Sequence, residues 1–358
     1  MKLIISGGGT GGHIYPALAI VEEWKRRHPD AEILYVGTAT GLEADIVPRT
    51  GTPFTAIEVA GLPRKISAKT VKAGIKLLKG LRESDGILKS FRPDIVVGTG
   101  GFVSFPIVYR AAKRKIPTLI HEQNGVAGIS NRMLGKVVDR VLLTIPESER
   151  FFARKEILSV VGNPIRQIFF KKREKNYDEF GLDPEKKTVL IFGGSNGSES
   201  LNRAVVDILK DFHGAYNLIF VPGKSDYETV IRTVGEKSSV TILPYLYDMP
   251  GAYAIADLVV TASGAITLSE IAASHLPSIL VPKAYTTENH QEMNARYFEK
   301  HGAARVLLEK ELTGETLCTM MEELLQSDLG TMAEAAGKLA TPNAHRDIAD
   351  AMEELIAR

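Results

Sequence analysis

The sequence predicts an α/β protein of two Rossmann-like domains facing a cleft, each a parallel sheet covered by helices. Short apolar runs alternate with stretches of helical periodicity, the pattern of repeated strand-helix units. Two of those runs, Leu3-Ile4-Ile5 and Thr188-Val189-Leu190-Ile191-Phe192, lead into glycine-rich turns and then helical patterns, so the second half restarts the organisation of the first. A chain of 358 residues is also too long for one ordinary core, given domains of roughly 100 to 200 residues. The joint is expected at Gly162-Asn163-Pro164, giving domains 1–164 and 165–342, with a closing helix over 343–358 that packs back on the first.

The first strand, 3–6, ends in Ser6-Gly7-Gly8-Gly9-Thr10-Gly11-Gly12-His13. Ile14, Ala17, Leu18, Val21 and Trp24 then recur at the spacing of one buried helical face, and Pro16 sits in the first turns, where it gives up no helical hydrogen bond. Glycines ahead of a helix let backbone N–H groups crowd around an anion, and the helix dipole favours negative charge there. The spacing Gly7-x-Gly9-x-x-Gly12 also matches the dinucleotide fingerprint, but the second strand ends in Gly37-Thr38 where that fingerprint wants an acid for the ribose. A nucleotide-hydrolase loop would need Lys and then Ser or Thr after its last glycine, and the chain has His13-Ile14. What remains is a glycine loop ending in a histidine, either a neutral base aimed at the loop's ligand or a side chain that caps the helix.

Further strands of the first domain are predicted at 32–36, 54–59, 94–98, 117–120 and 140–143. Between the third and fourth lies the basic segment 64–92, in which lysines interleave with Val71, Ile75, Leu78 and Leu81 at helical spacing. One face would bury the apolar groups while the other carries positive charge, which suits a helix lying on anionic lipid or the surface helix of a domain. Gly98-Thr99-Gly100-Gly101-Phe102-Val103-Ser104 forms another strand, glycine loop and helix. His121-Glu122-Gln123-Asn124 follows a strand directly; four polar side chains there would bond a polyhydroxylated ligand, support the first glycine loop or satisfy a turn.

In the second half, Gly193-Gly194-Ser195-Asn196-Gly197-Ser198 follows the strand 188–192, and further strands are predicted at 217–221, 239–243, 258–261 and 278–281. Ser263-Gly264 opens an apparent helix in which Thr267 and the N–H groups of residues 265–267 can grip a diphosphate. Glu270, one turn in, opposes a phosphate but suits a ribose diol, whose hydroxyls donate to a carboxylate. The polar loop 285–294 carries amides suited to sugar hydroxyls, unless it is only a solvated loop.

Composition narrows the function. The single cysteine, Cys318, excludes an internal disulfide and fits a reducing compartment. No secretory signal and no run of about 20 apolar residues is visible, so a cytoplasmic protein is expected. Net charge is +1 overall, but residues 1–164 carry +9 and the remainder −8, so the first half is expected to meet something anionic. Without interleaved aromatics or zinc-type cysteine spacing, nucleic acid is not expected as that partner. No Asp-x-Asp motif occurs, and neither a metal nor a cofactor is expected.

Gly8-Gly9-Thr10-Gly11-Gly12-His13, Gly100-Gly101-Phe102-Val103-Ser104, His121-Glu122-Gln123-Asn124, Gly193-Gly194-Ser195, Ser263-Gly264-Ala265 with Glu270, and His290-Gln291 with Asn294 follow one another as in glycosyltransferase family 28. The chain resembles, over essentially its whole length, the members of that family that move N-acetylglucosamine from its uridine diphosphate sugar (UDP-GlcNAc) onto lipid I to make lipid II for peptidoglycan. The resemblance implies a glycosyltransferase B architecture and a peripheral enzyme at the cytoplasmic face of the cell membrane. It places the donor in the second domain, with Leu246 at the uracil, Glu270 at the ribose, and Arg166, Ser195, Ala265, Ile266 and Thr267 at the diphosphate. Gln291 and Asn294 would take the sugar hydroxyls. The acceptor would lie against Thr10, Gly11, Gly12, Gly100, Gly101, Ser104 and Glu122, with His13 and Asn124 at the reacting hydroxyl. Phe105, Asn196 and Ala262 depart from the usual Gly, Gln and Arg of the family. A relative acting on another lipid, such as diacylglycerol, and a non-catalytic nucleotide-sugar binder are the alternatives.

Overall fold

The computed structural model describes residues 1–61, 68–194 and 197–358, which divide into two compact units: Met1–Ile165 with Asn343–Arg358, and Arg166–Pro342. By sequence the first unit carries a net charge of +7 and the second −6.

The first unit is built on β1 (Lys2–Gly7), β2 (Glu32–Gly37), β3 (Phe54–Ala56), β4 (Ile95–Gly100), β5 (Thr118–Glu122), β6 (Arg140–Leu143) and β7 (Leu158–Val160), ordered β3-β2-β1-β4-β5-β6-β7 with every pair parallel. Helices cover both faces, so the central strands are apolar without alternation. Leu3, Ile5, Ile95 and Val97 pack on one face with Trp24 and Ile20; Ile4, Val96 and Ile120 pack on the other with Ile107 and Leu134. Strand order reverses between β1 and β4. The loops leaving those two strands therefore meet at their carboxyl ends, the place where doubly wound sheets hold ligands.

The terminal helix Ala344–Ile356 belongs to this unit. Its Ile348, Met352 and Leu355 are buried against the Trp24 face, roughly 2 kcal/mol of apolar burial for each side chain. Arg27 fastens the helix polar side to side, bonding Asp350 at 2.5 Å and the Arg346 carbonyl at 3.1 Å.

The second unit holds β8 (Thr188–Phe192), β9 (Asn217–Val221), β10 (Val240–Ile242), β11 (Leu258–Thr261), β12 (Ser278–Leu280) and β13 (Ala304–Val306), ordered β10-β9-β8-β11-β12-β13 and again all parallel. Here the order reverses between β8 and β11, which brings the loop after Phe192 beside Ser263-Gly264.

The two-domain parallel α/β expectation is borne out, with differences at its margins. β3 stops at Ala56 because its partner β2 ends at Gly37, the residue opposite. β7 and β13 are three-residue edge strands whose apolar run is interrupted by Ser159 and Arg305, leaving no periodicity to read. The helix Ala68–Phe91 does not turn its apolar stripe to the domain. Val71, Ile75 and Leu78, read as a face for lipid or for the domain, are 65%, 61% and 69% exposed, while Ala73, Gly80, Ser84 and Leu88 face the domain. The helix docks by its small residues: a Cβ on Gly80 would lie 2.8 Å from the Glu58 carbonyl oxygen. Arg64 and Lys65 of the basic segment, and the Lys69 side chain, lie outside the described residues.

Candidate functional site

In the first unit the chain leaves β1 through Gly8-Gly9-Thr10 and enters the helix Gly11–Arg27. The Thr10 carbonyl accepts from His13 N at 3.1 Å and Ile14 N at 3.3 Å, while the amides of Gly11 and Gly12, in the first turn, have no intrahelical partner. The half-buried His13 ring turns back over the loop, its Nδ1 3.0 Å from the Gly8 carbonyl oxygen and 3.4 Å from Thr10 Oγ1. A carbonyl only accepts, so in the neutral ring Nδ1 carries the proton and Nε2 carries the lone pair.

The second glycine loop supports that ring. Gly100 (φ +105°) and Gly101 (φ +81°) hold backbone conformations that favour glycine. A Cβ on Gly100 would lie 2.8 Å from His13 Cδ2, and one on Gly101 would lie 2.4 Å from the Gly8 oxygen. Thr99 Oγ1 donates to the His13 carbonyl at 2.7 Å. Ser104, expected to touch ligand, is fully buried and donates its hydroxyl proton to the Gly101 carbonyl at 3.1 Å, so it shapes the turn.

Sequence reasoning missed Glu43. This buried carboxylate accepts from Gly9 N at 3.1 Å, Thr38 N at 3.1 Å and Thr38 Oγ1 at 2.6 Å, so one amide of the glycine loop is already engaged by an acid. The acid absent from the end of β2 thus stands six residues beyond Gly37, in the first turn of the helix Leu42–Arg49, and bonds the loop itself. Gly37-Thr38 followed by a glycine and an acid was the available signal.

The segment after β5 is inward-facing. Glu122, placed by resemblance at the acceptor, is 2% exposed; its Oε1 accepts from Asn124 N at 3.1 Å and Asn124 Nδ2 at 3.3 Å, its Oε2 from Gly128 N at 2.9 Å and Asn131 Nδ2 at 2.8 Å. It organises the loop that presents half-buried Asn124. His121 is fully buried between the Gly162 carbonyl (2.8 Å) and Gln123 Nε2 (2.9 Å), and burial pushes its pKa down to about 4, so it stays neutral. The ligand-bonding expectation for these side chains narrows to Asn124.

In the second unit the helix Ala265–Ala273 begins after Gly264 with the amides of Ala265, Ile266 and Thr267 unable to bond within the helix. The carboxyl of Glu270, one turn in, accepts no hydrogen bond among the described residues, while its backbone carbonyl accepts from Ser274 N at 3.0 Å. Burial raises its pKa to about 7, with the Arg166 guanidinium drawing it back. Arg166 itself is exposed, 5.0 Å over the Phe169 ring. Leu246 is buried in the loop after β10. Ser195 and Asn196 lie outside the described residues.

The two amides expected to meet sugar hydroxyls face partly inward. Gln291 Oε1 accepts from Lys283 N at 3.0 Å, and the fully buried Asn294 donates its Nδ2 to the Ser263 carbonyl at 3.1 Å, while Ser263 Oγ donates to the Gln291 carbonyl at 2.7 Å. The start of the helix His290–Lys300 is thereby fastened to the loop leading into Ala265–Ala273. Lys283, buried in the same cluster, was not anticipated from sequence.

Residues 3–143 match the glycosyltransferase family 28 N-terminal domain and residues 188–352 its C-terminal domain. A protein of Finegoldia magna named UDP-N-acetylglucosamine--N-acetylmuramyl-(pentapeptide) pyrophosphoryl-undecaprenol N-acetylglucosamine transferase is 46% identical, covering 99% of this chain and 98% of that protein. One of the same name from Bacillus pumilus is 44% identical over 99% of each. The crystal structure of Acinetobacter baumannii MurG superposes with a TM-score of 0.79 at 28% identity over 99% of both chains. The chain belongs to glycosyltransferase family 28.

Proposed function

We propose that the protein transfers N-acetylglucosamine from UDP-GlcNAc to the muramyl 4-hydroxyl of lipid I, forming lipid II, with inversion at the anomeric carbon. The observation that carries this reading is the ring of His13 in the unit assigned to the acceptor, whose Nδ1 lies 3.0 Å from the Gly8 carbonyl oxygen, so that in the neutral ring the lone pair is on Nε2. The full-length relatives whose names state this transfer support it.

His13 Nε2 takes the proton of the sugar hydroxyl as its oxygen attacks the anomeric carbon. The bond to the diphosphate oxygen breaks, and UDP leaves with both electrons of that bond. Asn124 orients the attacking hydroxyl, and the amides of Gly11 and Gly12 meet the acceptor diphosphate at the positive end of a helix of 17 residues. In the second unit Glu270 accepts from the ribose hydroxyls. Arg166 and the amides of Ala265, Ile266 and Thr267 stabilise the charge that develops on the departing diphosphate. Loop residues near Leu246 read the uracil, and Gln291 and Asn294 act at the sugar from the wall they build with Ser263.

The helix Ala68–Phe91 supports the lipid side of this function. Its exposed Val71, Ile75 and Leu78 form one stripe at i, i+4 and i+7, flanked by Lys72, Lys76 and Lys79 on the unit of net charge +7. Among the described residues no helix is long and apolar enough to cross a membrane. On this reading the stripe is a surface contact with lipid, at the cytoplasmic face where the acceptor would be met.

Incubating the full chain with UDP carrying labelled N-acetylglucosamine and either a lipid I analogue or diacylglycerol tests the assignment. Label in a β-linked lipid I product supports it. Label in diacylglycerol alone selects a different acceptor, and UDP-GlcNAc binding without transfer to either lipid makes the protein a binder.

A further inference from the structure

Lys283 lies three residues beyond β12 and is 8% exposed, yet among the described residues no carboxylate stands within ion-pair distance of its ammonium. Its side chain reaches across to the loop after β8 and donates to the Gly197 carbonyl. Glu309, the acid whose field reaches it, is engaged elsewhere: Ser200 Oγ donates to one oxygen at 2.5 Å and Ala284 N to the other at 2.8 Å. Burial without an ion pair disfavours the charged amine, and its pKa is lowered accordingly.

The setting indicates what would compensate the charge. Gly197 leads into Ser198 and the helix Glu199–Lys210, beside the point where strand order reverses. The backbone N–H of Lys283 is held by Gln291 Oε1, and the Gln291 carbonyl by Ser263, whose neighbour Gly264 opens the helix carrying Glu270. The buried cation, the glycine-rich loop and the start of Ala265–Ala273 therefore belong to one bonded cluster. At the end of β11, Ala262 brings no charge of its own.

We propose that Lys283 is the buried cation that receives the diphosphate of the nucleotide sugar, moving its N–H groups from the Gly197 carbonyl to phosphate oxygens. This deepens the donor-site reading of the second unit and rests on it. Charge-assisted hydrogen bonds shorten and strengthen on phosphate, and the cation then also stabilises the leaving diphosphate.

Calorimetric titration of the full chain with UDP, uridine and inorganic pyrophosphate decides the point. In K283M and K283Q, UDP affinity is expected to fall roughly 10- to 100-fold with uridine affinity unchanged, and K283R is expected to recover most of the loss. Pyrophosphate binding should weaken in parallel with UDP. Because the ammonium is a liability in the unliganded chain, K283M is expected to melt no lower than wild type, and UDP should raise its melting temperature less. A wild-type ratio of UDP to uridine affinity in folded K283M overturns the proposal and leaves the donor site standing. Wild-type protein that binds neither UDP nor uridine overturns both.

Discussion

The Nδ1 of His13 lies 3.0 Å from the carbonyl oxygen of Gly8, five residues earlier in the same loop. That contact fixes the tautomer, and the second glycine loop fixes the ring. A methyl group at Gly100 would meet His13 Cδ2 at 2.8 Å in a backbone conformation of φ +105°. Gly100→Ala is therefore expected to cut kcat roughly 10- to 100-fold by displacing the base, while UDP affinity stays at the wild-type value. Equal kcat in the two proteins would mean that the ring is not held by that loop.

Glu270 sets a pH dependence on the donor side. Its carboxyl, raised to about 7 by burial, must be ionised to accept from both ribose hydroxyls, so binding favours the charged form. Uridine affinity is expected to rise from pH 6 to 8 and then level off. In Glu270→Gln the profile should be flat and the affinity about 10-fold lower at pH 8. Titration with 2′-deoxyuridine should show a weaker rise than uridine; identical profiles would remove Glu270 from the ribose.

The stripe on Ala68–Phe91 separates apolar from ionic contributions to membrane binding. Replacing Val71, Ile75 and Leu78 by Ser is expected to lower partitioning onto anionic vesicles more than 10-fold at any salt concentration. Replacing Lys72, Lys76 and Lys79 by Gln should lower it chiefly at low salt, at about 1 kcal/mol per lysine near the surface. Lys79 contributes least, because Glu58 already pairs with it. UDP affinity should be unaltered in both variants, and unchanged vesicle binding would exclude the helix as the contact.

Glu23 links stability to pH. This buried carboxylate accepts from Arg26 Nε at 2.7 Å, Arg26 Nη2 at 2.8 Å and Arg27 Nε at 2.8 Å, and the Arg26 guanidinium leads in holding its pKa down to about 2. A carboxyl lower in the folded than in the unfolded chain contributes stability above its unfolded pKa and loses it as pH falls through its folded value. Unfolding free energies of Glu23→Gln from urea titration should lie below wild type at pH 7, by about 2 kcal/mol, and converge with it between pH 4.5 and 2. Parallel curves across that range would show that Glu23 is not the linked group.

The architecture was legible because strands buried on both faces read as apolar runs and because both glycine-rich turns sit at strand ends, as Leu3-Ile4-Ile5 before Gly7 and Val189–Phe192 before Gly193 do. His13 stood out for the same reason. What periodicity left open is the helix Ala68–Phe91, since a stripe of Val71, Ile75 and Leu78 looks the same whether it meets a core or remains exposed. Glu43 and Lys283 escaped, and the inward bonding of Glu122 was not foreseen, because each meets backbone groups that the fold brings near: Gly9 N, the Gly197 carbonyl and Gly128 N.

The central claim is that His13 Nε2 removes the acceptor proton, and the single-turnover rate of His13→Ala with UDP-GlcNAc and a lipid I analogue both saturating tests it most directly. The expected result is a rate about 100- to 10,000-fold below wild type with UDP affinity unchanged. A variant that transfers N-acetylglucosamine to lipid I at the wild-type rate would contradict it.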